Sequence, residues 1–165
     1  MGNSQFTGRL AAVAAIAALC ALPLRAATAA DAIPEPEFGG PTTTELKGLH
    51  IHYLYETGRE YDLDFDSETV TFIQYRETGG VALAKPSEPG VMHYRARKLR
   101  DQLYLVHWIN RSPEMGNIHV ALVIDLREHL LHASAMMPRG LEMMNYAHIK
   151  EIDWKGHGMR WKAKG

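Results

Sequence analysis

The sequence predicts an all-β protein, a single up-and-down barrel of eight to nine antiparallel strands. Three observations lead there. From Glu45 onward, short runs rich in β-branched and aromatic residues recur roughly every 8 to 12 residues, the rhythm of strands and turns in a sandwich or barrel. Successive runs are joined by short turns and need no long crossover, which suits hairpins laid side by side. The barrel region contains no cysteine, so the fold must be held by one apolar core without disulfides.

The first 29 residues stand outside that barrel. Residues 1–9 are polar with one arginine, residues 10–24 form an apolar run, and Ala27-Thr28-Ala29 supplies small residues at a cleavage site. This is the pattern of a secretory signal peptide cut before Ala30, giving a periplasmic or secreted protein. An uncleaved anchor is the alternative, but the run is shorter than the roughly 20 residues a spanning helix needs. A lipid anchor is set aside because Leu19, not a small residue, precedes Cys20. Without residues 1–29 the chain keeps 136 residues, with 16 basic against 19 acidic side chains and a formal net charge of −3. That balance gives no reason to expect nucleic acid, and no membrane association is expected after cleavage.

Residues 30–44 hold three prolines, two glycines and no apolar period, and read as a flexible leader to a barrel domain over residues 45–155. Residues 49–61 open the barrel. Ile51, Tyr53 and Tyr55 fall at period two and share one strand face, while His50, His52 and Leu54 take the other. Residues 56–59 contain Gly58 and turn the chain into a second strand from Glu60 to Phe65, in which Tyr61, Leu63 and Phe65 face opposite Asp62 and Asp64. Residues 69–75 continue the sheet; residues 81–84 are a short apolar run between Gly79-Gly80 and Pro86, and residues 85–90 a loop. Residues 92–99 and 103–109 make the next hairpin, with Tyr104, Val106, Trp108 and Asn110 on one face. After a polar loop at 111–117, residues 118–124 and 130–137 form a third hairpin that Pro138-Arg139-Gly140 stops. Residues 141–147 are ambiguous, with one helical turn as a candidate; residues 149–154 are a last strand, and residues 156–165 a mobile basic tail.

Nine histidines in an exported chain invite a metal reading, but the only tight pair, His50 and His52, lies opposite the tyrosines and faces solvent. No metal and no cofactor is expected. His107 and His119 lie on the face opposite the apolar residues of their strands and read as surface side chains. The chain has no phosphate loop and no nucleophile elbow, and Ser87, Ser112 and Ser134 show no sign of activation. Asp62 and Asp64 read as the solvated side of their strand, and Met136-Met137 and Met143-Met144 as core or loop filler.

The order of landmarks resembles a known family. Tyr53-x-Tyr55 followed by an acidic residue, Gly58 and Glu60-Tyr61, then Thr69-Val70, then Tyr104-x-Val106-x-Trp108, then Leu131-His132 and Met137-Pro138-Arg139 is similar to the bacterial phenolic acid decarboxylases and the related MoaF-like small barrels. The likeness covers residues 46–139. It implies a lipocalin-like, calycin-type barrel that holds a ligand, and cofactor-free decarboxylation of hydroxycinnamic acids such as p-coumarate or ferulate. In that family two tyrosines grip the substrate carboxylate, and Tyr53 and Tyr55 match them; Val120, Ala135 and Met137 match apolar pocket positions. The sequence also departs from the pattern. Asn110 stands where the family's glutamate follows Trp108 by two residues, and an amide exchanges no proton near neutrality. Residues 80–85, the strand that should carry the family's arginine, have only Lys85, which cannot bind bidentately. The family's decarboxylases are also cytoplasmic.

The leading expectation is therefore an exported MoaF-like barrel binding a small aromatic or carboxylate-bearing molecule through Tyr53, Tyr55, Trp108 and Asn110 over Val120, Ala135 and Met137. One alternative is a decarboxylase with an altered site, Tyr53 and Tyr55 being its catalytic residues and Glu114 or Glu77 its replacement acid. A second is an interaction module using the outer barrel face, and a homodimer through that face is what the resemblance implies.

Overall fold

Among the described residues nine strands run in chain order: β1 (Leu49–Tyr55), β2 (Glu60–Phe65), β3 (Thr69–Arg76), β4 (Gly90–Arg100), β5 (Leu103–Ser112), β6 (Gly116–Asp125), β7 (Leu130–Met136), β8 (Glu142–Trp154) and β9 (Met159–Lys162). The computed structural model describes residues 41–112 and 116–164. The expected signal peptide, most of the leader and Glu114 lie outside the described residues. Every neighbouring pair is antiparallel, and β1 also pairs with β8, from Leu49↔Trp154 to Tyr55↔Ala147. The first eight strands thus close into the expected up-and-down barrel. Closure gives each of them a partner on both sides over part of its length, and the edges left at the end of β3 and along Glu151–Trp154 of β8 are covered by other segments of the chain.

Period two decides what fills the interior. Ile51 and Tyr53 of β1, Leu63 and Phe65 of β2, Tyr104, Val106 and Trp108 of β5, and Leu122 and Ile124 of β6 all point inward and are buried. One end of the barrel is packed solid. There Leu46, Leu49, Leu126, Leu131, Ile152 and Trp154 are 0–2% exposed, and the Trp154 indole donates to the Lys47 carbonyl at 3.3 Å. Toward the other end the inward side chains shrink. The row Val106↔Leu122↔Ala133↔Asn145 and the row Trp108↔Val120↔Ala135↔Met143 each drop to alanine on β7. Small residues there leave the interior unfilled.

Three expectations need correction. Residues 141–147 are not a helical turn but the first half of β8, a 13-residue strand. Its alternation is broken where Tyr53 pairs with Ile149 but His52 with Glu151, a bulge at Lys150 that moves the inward set from Ala147 and Ile149 to Ile152 and Trp154. The tail is not mobile throughout, since residues 155–157 make a short 3-10 turn and β9 then pairs with Glu151–Trp154 of β8, beyond the point where β7 begins. Trp161 stacks on His129 at 3.6 Å. Residues 81–84, finally, are no barrel strand. Gly79 and Gly80 both take positive φ, and the segment folds back along the upper edge of β3 through an isolated Arg76↔Ala82 bridge and the bonds Leu83 N to Tyr75 O and Ser87 N to Gln74 O, both 2.9 Å. This backbone satisfies the β3 edge where the four-pair β3–β4 ladder stops short.

Candidate ligand cavity

The unfilled end of the barrel is a cavity of about 410 Å³, in the range of small-molecule sites. All seven side chains singled out from the sequence line it: Tyr53, Tyr55, Trp108, Asn110, Val120, Ala135 and Met137. Tyr53 and Tyr61 are directly opposed across the β1–β2 ladder and stack at 5.8 Å, and Tyr55 sets its ring edge-on to both, at 5.2 and 5.9 Å. The phenols form one wall. Trp108, Ile118, Val120, Ala133, Ala135, Met137 and Met143 supply apolar surface opposite, and Gln74, Asn110 and Asn145 add amides.

Electrostatics fix the protonation of that wall. Burial pushes the Tyr53 phenol well above its ordinary range, with the neighbouring Tyr55 adding to the effect, and burial brings Tyr55 to about 12. Tyr61 is raised too, again by burial, with Arg59 pulling the other way. All three therefore stay neutral donors at physiological pH. The described lining residues include no histidine, cysteine, lysine or carboxylate. Of the two acids considered as replacements, Glu77 is exposed in the loop after β3 and Glu114 lies outside the described residues.

The sequence missed Arg59, Gln74 and Asn145. Arg59 sits in the β1–β2 turn, where no period marks which way a side chain points; the turn is closed by Tyr55 N to Arg59 O at 2.8 Å and Gly58 N to Tyr55 O at 2.9 Å. Its Nε donates to Thr78 Oγ1 at 2.9 Å. Gln74 was legible as the inward partner of Val70 and Phe72. Asn145 was not, because residues 141–147 carry no pattern that marks them as part of β8.

Outside the barrel, His50 and His52 face away from the cavity as expected, but they are not simply solvated. His50 Nδ1 lies 2.8 Å from Asp64, and His52 bridges Asp62 at 2.6 Å and Glu60 at 3.0 Å. Asp62, expected on a solvated side, also accepts from the Tyr75 hydroxyl at 2.6 Å, and Glu60 from Arg76 at 2.5 Å. His107 is half-buried, 5.9 Å ring to ring from His119. The methionine pairs split: Met137 and Met143 line the cavity, while Met136 and Met144 are 53% and 76% exposed. A groove of about 610 Å³ lies over the His52 network, lined by charges of both signs, with Lys162 already held by Glu151 at 2.7 Å. It has no apolar floor, so the interior cavity is the better ligand site. Among the described residues, no three His, Cys, Asp or Glu side chains are grouped to hold a metal ion.

The family model for the MoaF N-terminal domain matches residues 28–137, two thirds of the chain. The chain belongs to the MoaF family. No curated protein sequence matches this MoaF-domain chain. Among solved structures, a crystal structure described as that of "a putative beta-lactamase" from Burkholderia vietnamiensis is similar at 9% identity and a TM-score of 0.50, covering 64% of this chain and 93% of that one. At that identity the likeness concerns the fold alone. The MoaF domain and the barrel thus coincide over β1 to β7, the strands that carry Tyr53 through Ala135, and the match ends at Met137.

Proposed function

We propose that this protein is an exported MoaF-domain barrel that binds a small aromatic or carboxylate-bearing molecule in its interior. The observation that carries the reading is the composition of the cavity: three neutral phenols and three amides facing an apolar wall, with no lining group, among those described, able to exchange a proton near neutrality. Such a lining orients and desolvates a ligand. A phenol held neutral can give a proton, but no described lining group readily takes one up near neutrality, which favours binding over decarboxylation. Tyr53, Tyr55 and Asn110 supply polar contacts, and Trp108, Val120, Ala135 and Met137 the apolar surface.

The test uses the chain from Ala30 mixed with p-coumarate or ferulate, following cinnamate absorbance and tryptophan fluorescence together. Saturable quenching through Trp108 without loss of absorbance is the expected result. Loss of absorbance that depends on Tyr53 and Tyr55 overturns it in favour of the decarboxylase. Mass measurement of the protein recovered from the periplasm or medium checks export, with a chain beginning at Ala30 expected.

A second reading rests on the outer face of β7 and β8, where Met136, Met144 and Tyr146 stand exposed near Leu141. Apolar side chains clustered on a surface favour a protein contact, and a second copy of this chain is the simplest occupant. Sedimentation of wild type against Met144→Glu tests it; a monomer in both discards it.

A further inference from the structure

We infer that Arg59 is the residue that selects an anionic ligand, seating a carboxylate at the β1–β2 turn beside Tyr61 and Tyr55. This rests on the reading of the cavity as a ligand site and specifies how the ligand lies in it. Arg59 is the only cationic side chain among the described lining residues, and no described carboxylate is within ion-pair distance of it. A half-buried guanidinium without a paired acid is an incomplete arrangement, because its charge is partly removed from water with no ion pair to offset the loss. A ligand carboxylate completes it.

The surroundings hold the group in place for that task. The Nε bond to Thr78 and a hydrogen bond to the Tyr61 hydroxyl hold the guanidinium against the phenol wall, and its remaining N–H donors are there for a ligand carboxylate that Tyr61 can meet with its own O–H. The turn itself is braced by the loop after β3: Gly79 N donates to the Thr57 carbonyl at 2.7 Å, and Gly58 lies so close to the Gly80 backbone that a Cβ there would overlap it. Tyr61 and Tyr55, both influenced electrostatically by Arg59, offer neutral hydroxyl donors to the same anion. Tyr53, only 4% exposed and stacked on Tyr61, adds its own polar contact to the wall the ligand lies against. The aromatic part of the ligand then points away from the turn, toward Trp108, Val120 and Ala135. Thr78 is a positioning residue.

A ligand-by-mutant cycle tests this with p-coumarate and its carboxamide as probes. Wild type is expected to prefer the carboxylate. In Arg59→Met, carboxylate affinity falls about 10- to 100-fold while carboxamide affinity changes little, the size of losing hydrogen bonds to a charged group. Arg59→Lys recovers part of the preference, and Thr78→Val weakens it with the melting temperature unchanged. A preference that persists in Arg59→Met overturns the role of Arg59 while leaving the cavity reading intact. Absence of saturable binding of both probes to wild type overturns the cavity reading and this assignment with it.

Discussion

His52 shows how a single residue can be charged by its neighbours. Carboxylate oxygens only accept, so a ring with Nδ1 on Asp62 and Nε2 on Glu60 donates from both nitrogens and is the imidazolium. The hydrogen bond to Asp62 leads in raising its pKa, and burial only partly opposes it. For Asp62 and Glu60 burial acts upward, but bonds from His52 with Tyr75 and from Arg76 with His52, respectively, hold both carboxyls below their ordinary range. The signs then follow. The histidine's contribution is complete below the unfolded value of about 6.5 and is lost as pH rises through the raised folded value. The carboxylates' contribution is present above their unfolded range and is lost as pH falls through their lowered values. His52→Gln is expected to cost about 1 kcal/mol at about pH 6, partial exposure keeping it small, and less at about pH 9. Urea denaturation at both pH values checks this; equal losses would mean the imidazolium is not the stabilising form.

At the scale of elements, two short features carry more than their length suggests. The β1–β2 turn brings the tyrosine wall and Arg59 together, and Gly58 makes it possible, with φ at 87° and the Gly80 backbone against it. Gly48 has a similar φ of 78° but open space around it. Gly48→Ala should therefore cost only the left-handed strain, about 1 kcal/mol, and Gly58→Ala roughly 1–3 kcal/mol beyond that. Denaturation midpoints of the two variants measure the difference, and equal costs would show that the loop does not brace the turn. β9 is the second feature. It covers the β8 edge at Glu151–Trp154, and Trp161 closes over His129. Truncation before Met159 is expected to lower the melting temperature by several degrees and promote aggregation through the bared edge. Light scattering during a thermal ramp reads both effects.

For the whole molecule, one barrel does two jobs at its two ends. The packed end provides stability. Leu131→Ala, at 0% exposure, is expected to cost about 2–5 kcal/mol by cavity formation. The open end gives up that packing to hold a ligand. Ala135→Leu adds bulk where space already exists, so stability should hold within about 1 kcal/mol while ligand affinity falls at least about tenfold. Calorimetry and p-coumarate titration of the pair check the division: loss of stability in Ala135→Leu, or unaltered binding, would place the ligand elsewhere.

The sequence by itself determined the barrel, its strand-to-strand order from β1 to β7, and the inward sides of Tyr53, Tyr55, Trp108 and Asn110. It could do so because period two is a local property, written wherever a strand is regular and one face is buried. Its reading failed where that property is interrupted or absent. The bulge at Lys150 shifts the phase of β8 and hid Asn145, β9 is too short and polar to carry a pattern, and residues 81–84 look like a strand but complete an edge. Arg59 belongs to this second group, since a turn has no face. Tertiary structure alone decided that Arg59 and Thr78 meet, that the alanines of β7 leave a cavity beside the tyrosines, and that His52 is held charged. The cavity depends on closure of the barrel, which pairs β1 with β8, whereas the other two follow from β1, β2 and β3 lying side by side, which brings together residues 8 to 19 positions apart.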